Sequence, residues 1–213
     1  AKLGPSAEPK AVRRSPMTRP TLVLAFALAL LLPLHAQDRG EPSPKEPTIE
    51  ESAKALVESY VALLKAKKTK DAFKLWSFSR LCQVMFTQDF DAMSKEDQAS
   101  CAKELSDLLF KSMSHPKVVE HMSKADYGAL KVKQAVKGRV EVSFTLTPAG
   151  EGEKPVTQFL WVEKVGKRPC LMEMANGSPK LRIALQLGPR WKQAKAKGVS
   201  TPLAYMRVMA GKR

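Results

Sequence analysis

Apolar positions along this chain follow three different rhythms. From Thr21 to Leu34 they form an almost unbroken run, TLVLAFALALLLPL. From Thr48 to about Met122 they recur every three or four residues, which is one face of a helix. From Leu130 to Met174 the period drops to two, the mark of strands. Helical spacing returns after Asn176.

The first helical segment opens at Thr48-Ile-Glu-Glu51, a capping box placed directly after Pro47. Ala53, Leu56, Val57, Tyr60, Val61 and Leu64 form its apolar face. LKAKKTK ends it with positive charge, which suits a helix C-terminus. A second, unusually apolar helix is predicted from about Asp71 to Phe86, with Trp76, Leu81 and Cys82 among its residues. Ser94 caps a third, with Asp97 three residues on. Cys101, Ala102, Leu105, Leu108, Leu109 and Met113 share one side of it. Pro116 starts a short helix carrying Val118, Val119 and Met122.

Four strands follow: ALKVKQAV, RVEVSFTLT, VTQFLWVEK and PCLMEM. They are joined by KG, PAGEGEKP and VGKR, connections that suit an antiparallel meander. The second strand alternates cleanly, with Val140, Val142, Phe144 and Leu146 against Glu141, Ser143 and Thr145. The third is apolar on both faces at Phe159–Val162 and is expected to be central or covered on both sides. Ser178-Pro179 reads as a cap and first-turn proline opening a helix through Leu181, Ala184, Leu185 and Trp191. Gly188-Pro189 is expected to break or bend it. Thr201-Pro202 opens a last helix with Leu203, Met206 and Met209. The order is N-terminal helices, a four-stranded antiparallel sheet, then C-terminal helices packed against it: an α+β domain.

The apolar run needs separate treatment, because about 14 residues fall short of the ~20 that span a bilayer core. It follows Arg19 and ends in Leu34-His35-Ala36-Gln37-Asp38, the charged–apolar–small order of a secretory signal peptide cleaved after Ala36. An uncleaved signal anchor is the alternative. No cysteine lies near the cleavage point to carry a lipid anchor. Residues 17–36 are therefore read as the signal peptide and 1–16 as an upstream extension that is not native. Residues 37–47, QDRGEPSPKEP, read as a disordered linker, and 48–210 as a single domain.

Charge narrows the partners. The 213 residues hold 36 Lys and Arg against 21 Asp and Glu, a net +15. Residues 1–36 account for +4 of it, leaving about +11 on the exported part. Such a surface favours polyanions, and in an exported protein an anionic membrane surface is the expected one. Neither an aromatic RNA-binding motif nor zinc-finger spacing is present, so no nucleic-acid partner is expected.

Candidate chemistry is sparse. Cys82 and Cys101 fall on apolar stripes, where they pair if their helices touch in an oxidising compartment, or remain buried free thiols. Cys170 makes the count odd. His115 and His121 stand six apart on a polar segment, which is not metal-ligand spacing. Ser178 lacks a G-x-S-x-G context and is explained as a cap. Glu173 lies between Met172 and Met174: inward-facing it would be a perturbed carboxylate able to act as acid or base. Strand alternation favours the outward placement. No cofactor or metal, and no enzyme activity, is expected. What the chain has in surplus is methionine and aromatic side chains. These suit either an adaptable apolar binding surface or a Met-rich core.

Three stretches add a family resemblance. FDAMSKEDQASCAKELSDLLFKSM, VTQFLWVEKVGKRPCLMEMANGS and LRIALQLGPRWKQAKAKGVSTPLAYM resemble segments of the MlaC family, periplasmic phospholipid-binding proteins also called toluene-tolerance proteins. Trp161, Gly177 and Ser178 stand where that family's strand-pair pattern has them. Glu173 or Met174 replaces its usual Asp-Val, Gly188-Pro189 interrupts its penultimate helix, and its glycine before the third helix is absent.

The resemblance implies an NTF2-like α+β fold whose cavity holds phospholipid acyl chains between sheet and helices. It also implies transport between an outer-membrane lipoprotein complex and an inner-membrane ABC lipid transporter. The lipid-binding residues expected on this basis are Trp76, Leu109, Met113, Val142, Phe144, Phe159, Trp161, Met172 and Met174. An exported small-molecule enzyme using Glu173 and an envelope interaction module remain as alternatives.

Overall fold

The computed structural model describes residues 46–134, 138–150 and 152–212. The expected extension, signal peptide and nearly all of the linker lie outside these residues. The fold is α+β, an antiparallel sheet with helices on both sides.

Helix α1 (Ile49–Lys65) opens on the predicted capping box: Glu51 N–H donates to Thr48 Oγ1, and Thr48 N–H donates to the Glu51 carboxylate. Its buried residues Ala53, Val57, Tyr60 and Leu64 pack on the sheet residues Val140, Val142, Phe144, Leu160, Val162 and Leu171. Helix α5 (Lys95–Met113) starts at Ser94, whose hydroxyl accepts from Asp97 N–H, and helix α6 (Pro116–Lys124) starts at its proline. Helix α8 (Pro202–Met209) is capped by Thr201.

The predicted helix from Asp71 to Phe86 is instead two, α2 (Thr69–Phe73) and α3 (Phe78–Phe86). Leu75–Ser77 leaves the helix to pair with a strand. Ser77 N–H donates to the Leu171 carbonyl and Leu171 N–H donates to the Leu75 carbonyl, both at 2.8 Å. An edge strand exposes unpaired backbone donors and acceptors, and here a neighbouring segment satisfies two of them at the cost of helical bonds. A one-turn helix α4 (Gln88–Asp91), not foreseen, follows Thr87, whose φ of 51° reverses the chain. The buried Gln98 amide donates to the Phe90 and Met93 carbonyls and fixes the turn into α5.

Strands β3 (Arg139–Thr147), β4 (Val156–Val165) and β5 (Arg168–Asn176) form the meander, with β4 between the other two as its two-sided apolar run predicts. Of the predicted first strand, ALKVKQAV, the described residues form β2 (Lys131–Gln134); a two-residue strand β1 (Asp126–Tyr127), not foreseen, precedes it, and both pair to the same edge of β3. Gly128 N–H bridges them to the Thr145 carbonyl.

Between β4 and β5 the register slips: Val162 opposes Leu171 while Trp161 opposes Glu173, so Met172 is the extra residue of a bulge. Leu171 and Glu173 consequently face opposite sides of the sheet. Both sides are covered at this level, and Glu173 is buried, only 1% exposed. The outward placement expected from alternation is corrected by that bulge and by the helices on the second face.

Ser178-Pro179 opens a single 3-10 turn, Pro179–Leu181, and not the long helix expected there. Helix α7 (Ile183–Ala196) begins two residues later and continues through Gly188-Pro189 without a break. Pro189 has no N–H for the Leu185 carbonyl one turn back, so the helix runs on without that bond. Leu181, Leu185 and Met209, expected on inward faces, are exposed. A second core joins α3, α5, α7 and α8 through Leu81, Phe86, Leu105, Trp191 and Met206. Asp89 ties α4 to α7: Trp191 Nε1 and Lys195 Nζ both donate to its carboxylate.

Ser77→Pro, which removes the donor to Leu171 and clashes with a φ of −107°, is expected to cost at least 1–3 kcal/mol. Ser77→Ala, whose side chain makes no cap bond, should stay within about 0.5 kcal/mol. Urea denaturation of the two variants checks both values.

Candidate functional site

Because Leu75–Ser77 is bound to β5, the aromatic residues on either side of it converge. Phe110 meets Phe73 edge-on at 5.4 Å, Phe73 stacks on Phe78 at 5.7 Å, and Phe78 stacks on Trp76 at 5.9 Å. Trp76 in turn meets Tyr60 edge-on at 6.2 Å. Four of these rings line one side of a cavity of about 90 Å³: Tyr60 from α1, Phe73 from α2, Trp76 from the bridge and Phe78 from α3. Leu109, Ser112 and Met113 of α5 and Met174 of β5 close it.

The lining is mostly apolar, and three of its residues, Trp76, Tyr60 and Ser112, carry one polar group each. The indole Nε1 of Trp76 is buried and makes no hydrogen bond of strict geometry among the described residues. Burial of the Tyr60 hydroxyl holds its pKa above the ordinary tyrosine value, although its interaction with the Trp76 indole pulls that pKa down in part. Ser112 contributes a hydroxyl at the exposed rim.

Four of the sequence-predicted site residues, Trp76, Leu109, Met113 and Met174, come together at this cavity. The other five do not line it. Val142 and Phe144 are packed into the core beneath α1, with Phe144 against Tyr127. Phe159, Trp161 and Met172 lie on the opposite sheet face with Val84, and the Arg182 guanidinium covers Trp161 at 5.1 Å. Tyr60, Phe73, Phe78 and Ser112 were not singled out from the sequence. Phe73 and Phe78 belong to the over-apolar Asp71–Phe86 segment, and that excess was the available signal.

Past Met174 lies a second depression of about 210 Å³, lined also by Leu181, Ile183 and Gln186. Met174 is common to both hollows. Larger grooves exist between α3 and α7, about 430 Å³, and beside α6, about 550 Å³, but charged residues rim them.

Glu173, the residue on which an acid–base mechanism would depend, is occupied elsewhere. Its Oε1 accepts from Met174 N–H and Ala184 N–H, each at 3.3 Å. Ala184 belongs to the first turn of α7, whose Arg182 N-cap makes no side-chain cap bond. The strand carboxylate therefore satisfies a helix N-terminus from outside. Desolvation raises its pKa, and the two N–H groups and Arg182 oppose that only in part. Among the described residues no group of three His, Cys, Asp or Glu is arranged to hold a metal ion. No helix among them is long and apolar enough to cross a membrane.

Neither a protein-family model nor a curated protein sequence matches the chain. Among solved structures, the fold is similar to that of a phospholipid-binding protein from Ralstonia solanacearum, solved in complex with a phospholipid. The TM-score is 0.57 at 14% identity, over 78% of this chain and 96% of that one. At that identity the likeness establishes a shared fold.

Glu173→Gln keeps the acceptor oxygen and removes the charge. With its folded pKa above the ordinary 4.5, Glu173 binds more protons folded than unfolded in the window between the two values. Its contribution to stability is therefore full below pH 4.5 and falls as pH rises through the folded pKa. The stability of Glu173→Gln relative to the parent should increase with pH across that window and be flat below it, as measured by urea denaturation from pH 4 to pH 8.

Proposed function

We propose that this protein is a periplasmic phospholipid carrier of the MlaC type, holding acyl chain in the aromatic-walled cavity between α1, α5 and the β5 edge. The observation that carries this is the cavity itself, an apolar hollow at the sheet edge of a fold shared with a protein solved bound to phospholipid. Each acyl methylene removed from water contributes ~0.8 kcal/mol, so a chain is retained with few polar contacts.

At about 90 Å³ the closed cavity is below the ~300–1,000 Å³ of ordinary ligand pockets. Loading therefore requires widening, and Met174 is the natural place for it. Rotation of this flexible thioether joins the cavity to the 210 Å³ depression beyond, which brings the pair near the lower limit of that range.

In this reading lipid moves between an outer-membrane lipoprotein complex and an inner-membrane ABC lipid transporter, as the three MlaC-like stretches and the leader sequence suggest. The C-terminal part supports contact with anionic membrane. After Glu173 the chain has nine Lys and Arg and no Asp or Glu. Exposed Leu181, Leu185 and Val208 lie among those charges, half or more of each side chain open to solvent. Basic residues near an anionic surface contribute about 1 kcal/mol each, and exposed leucines add apolar insertion.

Lipid extraction and mass spectrometry of the full chain, exported from a bacterial host and purified without detergent, is the test. About one phospholipid per protein is expected, with strong loss in Met113→Trp, which fills the cavity. A folded protein that carries none and takes none from vesicles would overturn the proposal.

Reversing two exposed charges, Arg190→Glu with Lys192→Glu, should weaken co-sedimentation with phosphatidylglycerol vesicles by about tenfold or more. Binding to phosphatidylcholine vesicles should change little.

A further inference from the structure

Cys82 lies in the middle of α3 and Cys101 in the second turn of α5. Both side chains are fully buried, and their Sγ atoms are 3.9 Å apart. Leu81, Met85 and Leu105 belong to the same core cluster. Cys170 stands apart on β5, partly exposed, its Sγ 3.8 Å from the Arg168 carbonyl oxygen. Neither Cys82 nor Cys101 lines the cavity. Lipid binding as proposed above makes no use of either.

We propose that Cys82 and Cys101 form a disulfide that staples α3 to α5. The gap between 3.9 Å and a bond of ~2.05 Å is of the size that rotation about the two Cα–Cβ bonds covers. The two thiols give up two protons and two electrons as the S–S bond forms. The acceptor is the disulfide of an exported dithiol–disulfide oxidoreductase, or oxidised glutathione in the tube, which is reduced to two thiols. One thiolate attacks the acceptor's disulfide to give a mixed disulfide, and the second then displaces the acceptor's remaining sulfur.

Timing follows from burial. The adjacent Cys101 thiol and exclusion of water hold the Cys82 thiol well above its ordinary pKa, so the folded protein has little thiolate to react. Oxidation therefore belongs to folding, when both residues still meet solvent across a separation of only 19 positions. Once made, the bond is shielded from reductants by the same core.

The staple has a mechanical consequence. α3 supplies Phe78 to the cavity wall, and α5 supplies Leu109, Ser112 and Met113. With these two helices tied, the cavity widens by displacement of α1 and β5, on the Met174 side. This consequence rests on the carrier function; the disulfide does not.

The test is a thiol count on the full chain, exported from a bacterial host or refolded with oxidised glutathione, alkylated with iodoacetamide in denaturant. One alkylated cysteine per chain, Cys170, and a peptide pair linking Cys82 to Cys101 are expected. Three alkylated cysteines after refolding with oxidised glutathione, or a linkage that includes Cys170, would overturn the proposal.

Reduction should also lower the Tm of the parent by about 5–10 °C and leave that of Cys82→Ala/Cys101→Ala unmoved. An equal fall in both would count against the staple. Because the chief readout is the state of the sulfurs, it comes out the same whether or not the protein holds lipid.

Discussion

Two backbone hydrogen bonds, from Ser77 N–H to Leu171 and from Leu171 N–H to Leu75, fasten the helical layer to the edge of the sheet. Much of the molecule's shape depends on them. They interrupt what would otherwise be a continuous apolar helix, and they turn Trp76 toward Tyr60 of α1. They also set Phe73 and Phe78 at the two ends of the break, where they stack on each other. The edge of β5 is thereby closed at Leu171 while Met174, three residues further along, opens onto the cavity. A hollow at a sheet edge between a bound stretch and a free one has walls that need not move together.

The second constraint is the bulge at Met172. By adding one residue to β5 it sends Leu171 to the α1 side and Glu173 to the α3–α7 side. The strand is then buried on both faces, and a carboxylate is taken into the interior with them. That burial is tolerated because the first turn of α7 lacks a side-chain cap, and its free N–H groups need an acceptor. The residue most suggestive of catalysis is thus explained as a link between strand and helix. The apolar cavity at the sheet edge is the site proposed for a ligand, once widened past Met174.

On the proposed carrier reading, acyl chain would be recognised by area and shape, which leave little trace in a sequence. A binding wall of Phe, Trp, Leu and Met is chemically the same as a core, so no polar motif marks it. The fold persists at 14% identity to a phospholipid-binding protein while no family model matches. Such persistence is possible because a core tolerates many apolar substitutions as long as volume and patterning are kept.

Local chemistry was legible in the sequence by itself. Thr48 with Glu51, Ser94, Pro116 and Thr201 start helices through bonds made within one turn, so residue spacing suffices to find them. The alternation of β3 and the two-sided apolar run of β4 gave the sheet and its centre, because a strand's faces follow from period two. Four of the eight lining residues, Trp76, Leu109, Met113 and Met174, are named from the chain's surplus of methionine and aromatic side chains and from the family resemblance, which do not say which apolar residues line a hollow and which fill a core. Tertiary structure alone decided the rest. The break at Leu75–Ser77 answers a demand from a strand about a hundred residues away, and the face of Glu173 was set by a one-residue slip between β4 and β5. The contact of Cys82 with Cys101 depends on how two helices cross. Each of these is a long-range pairing, and a local pattern carries no information about the partner it will meet.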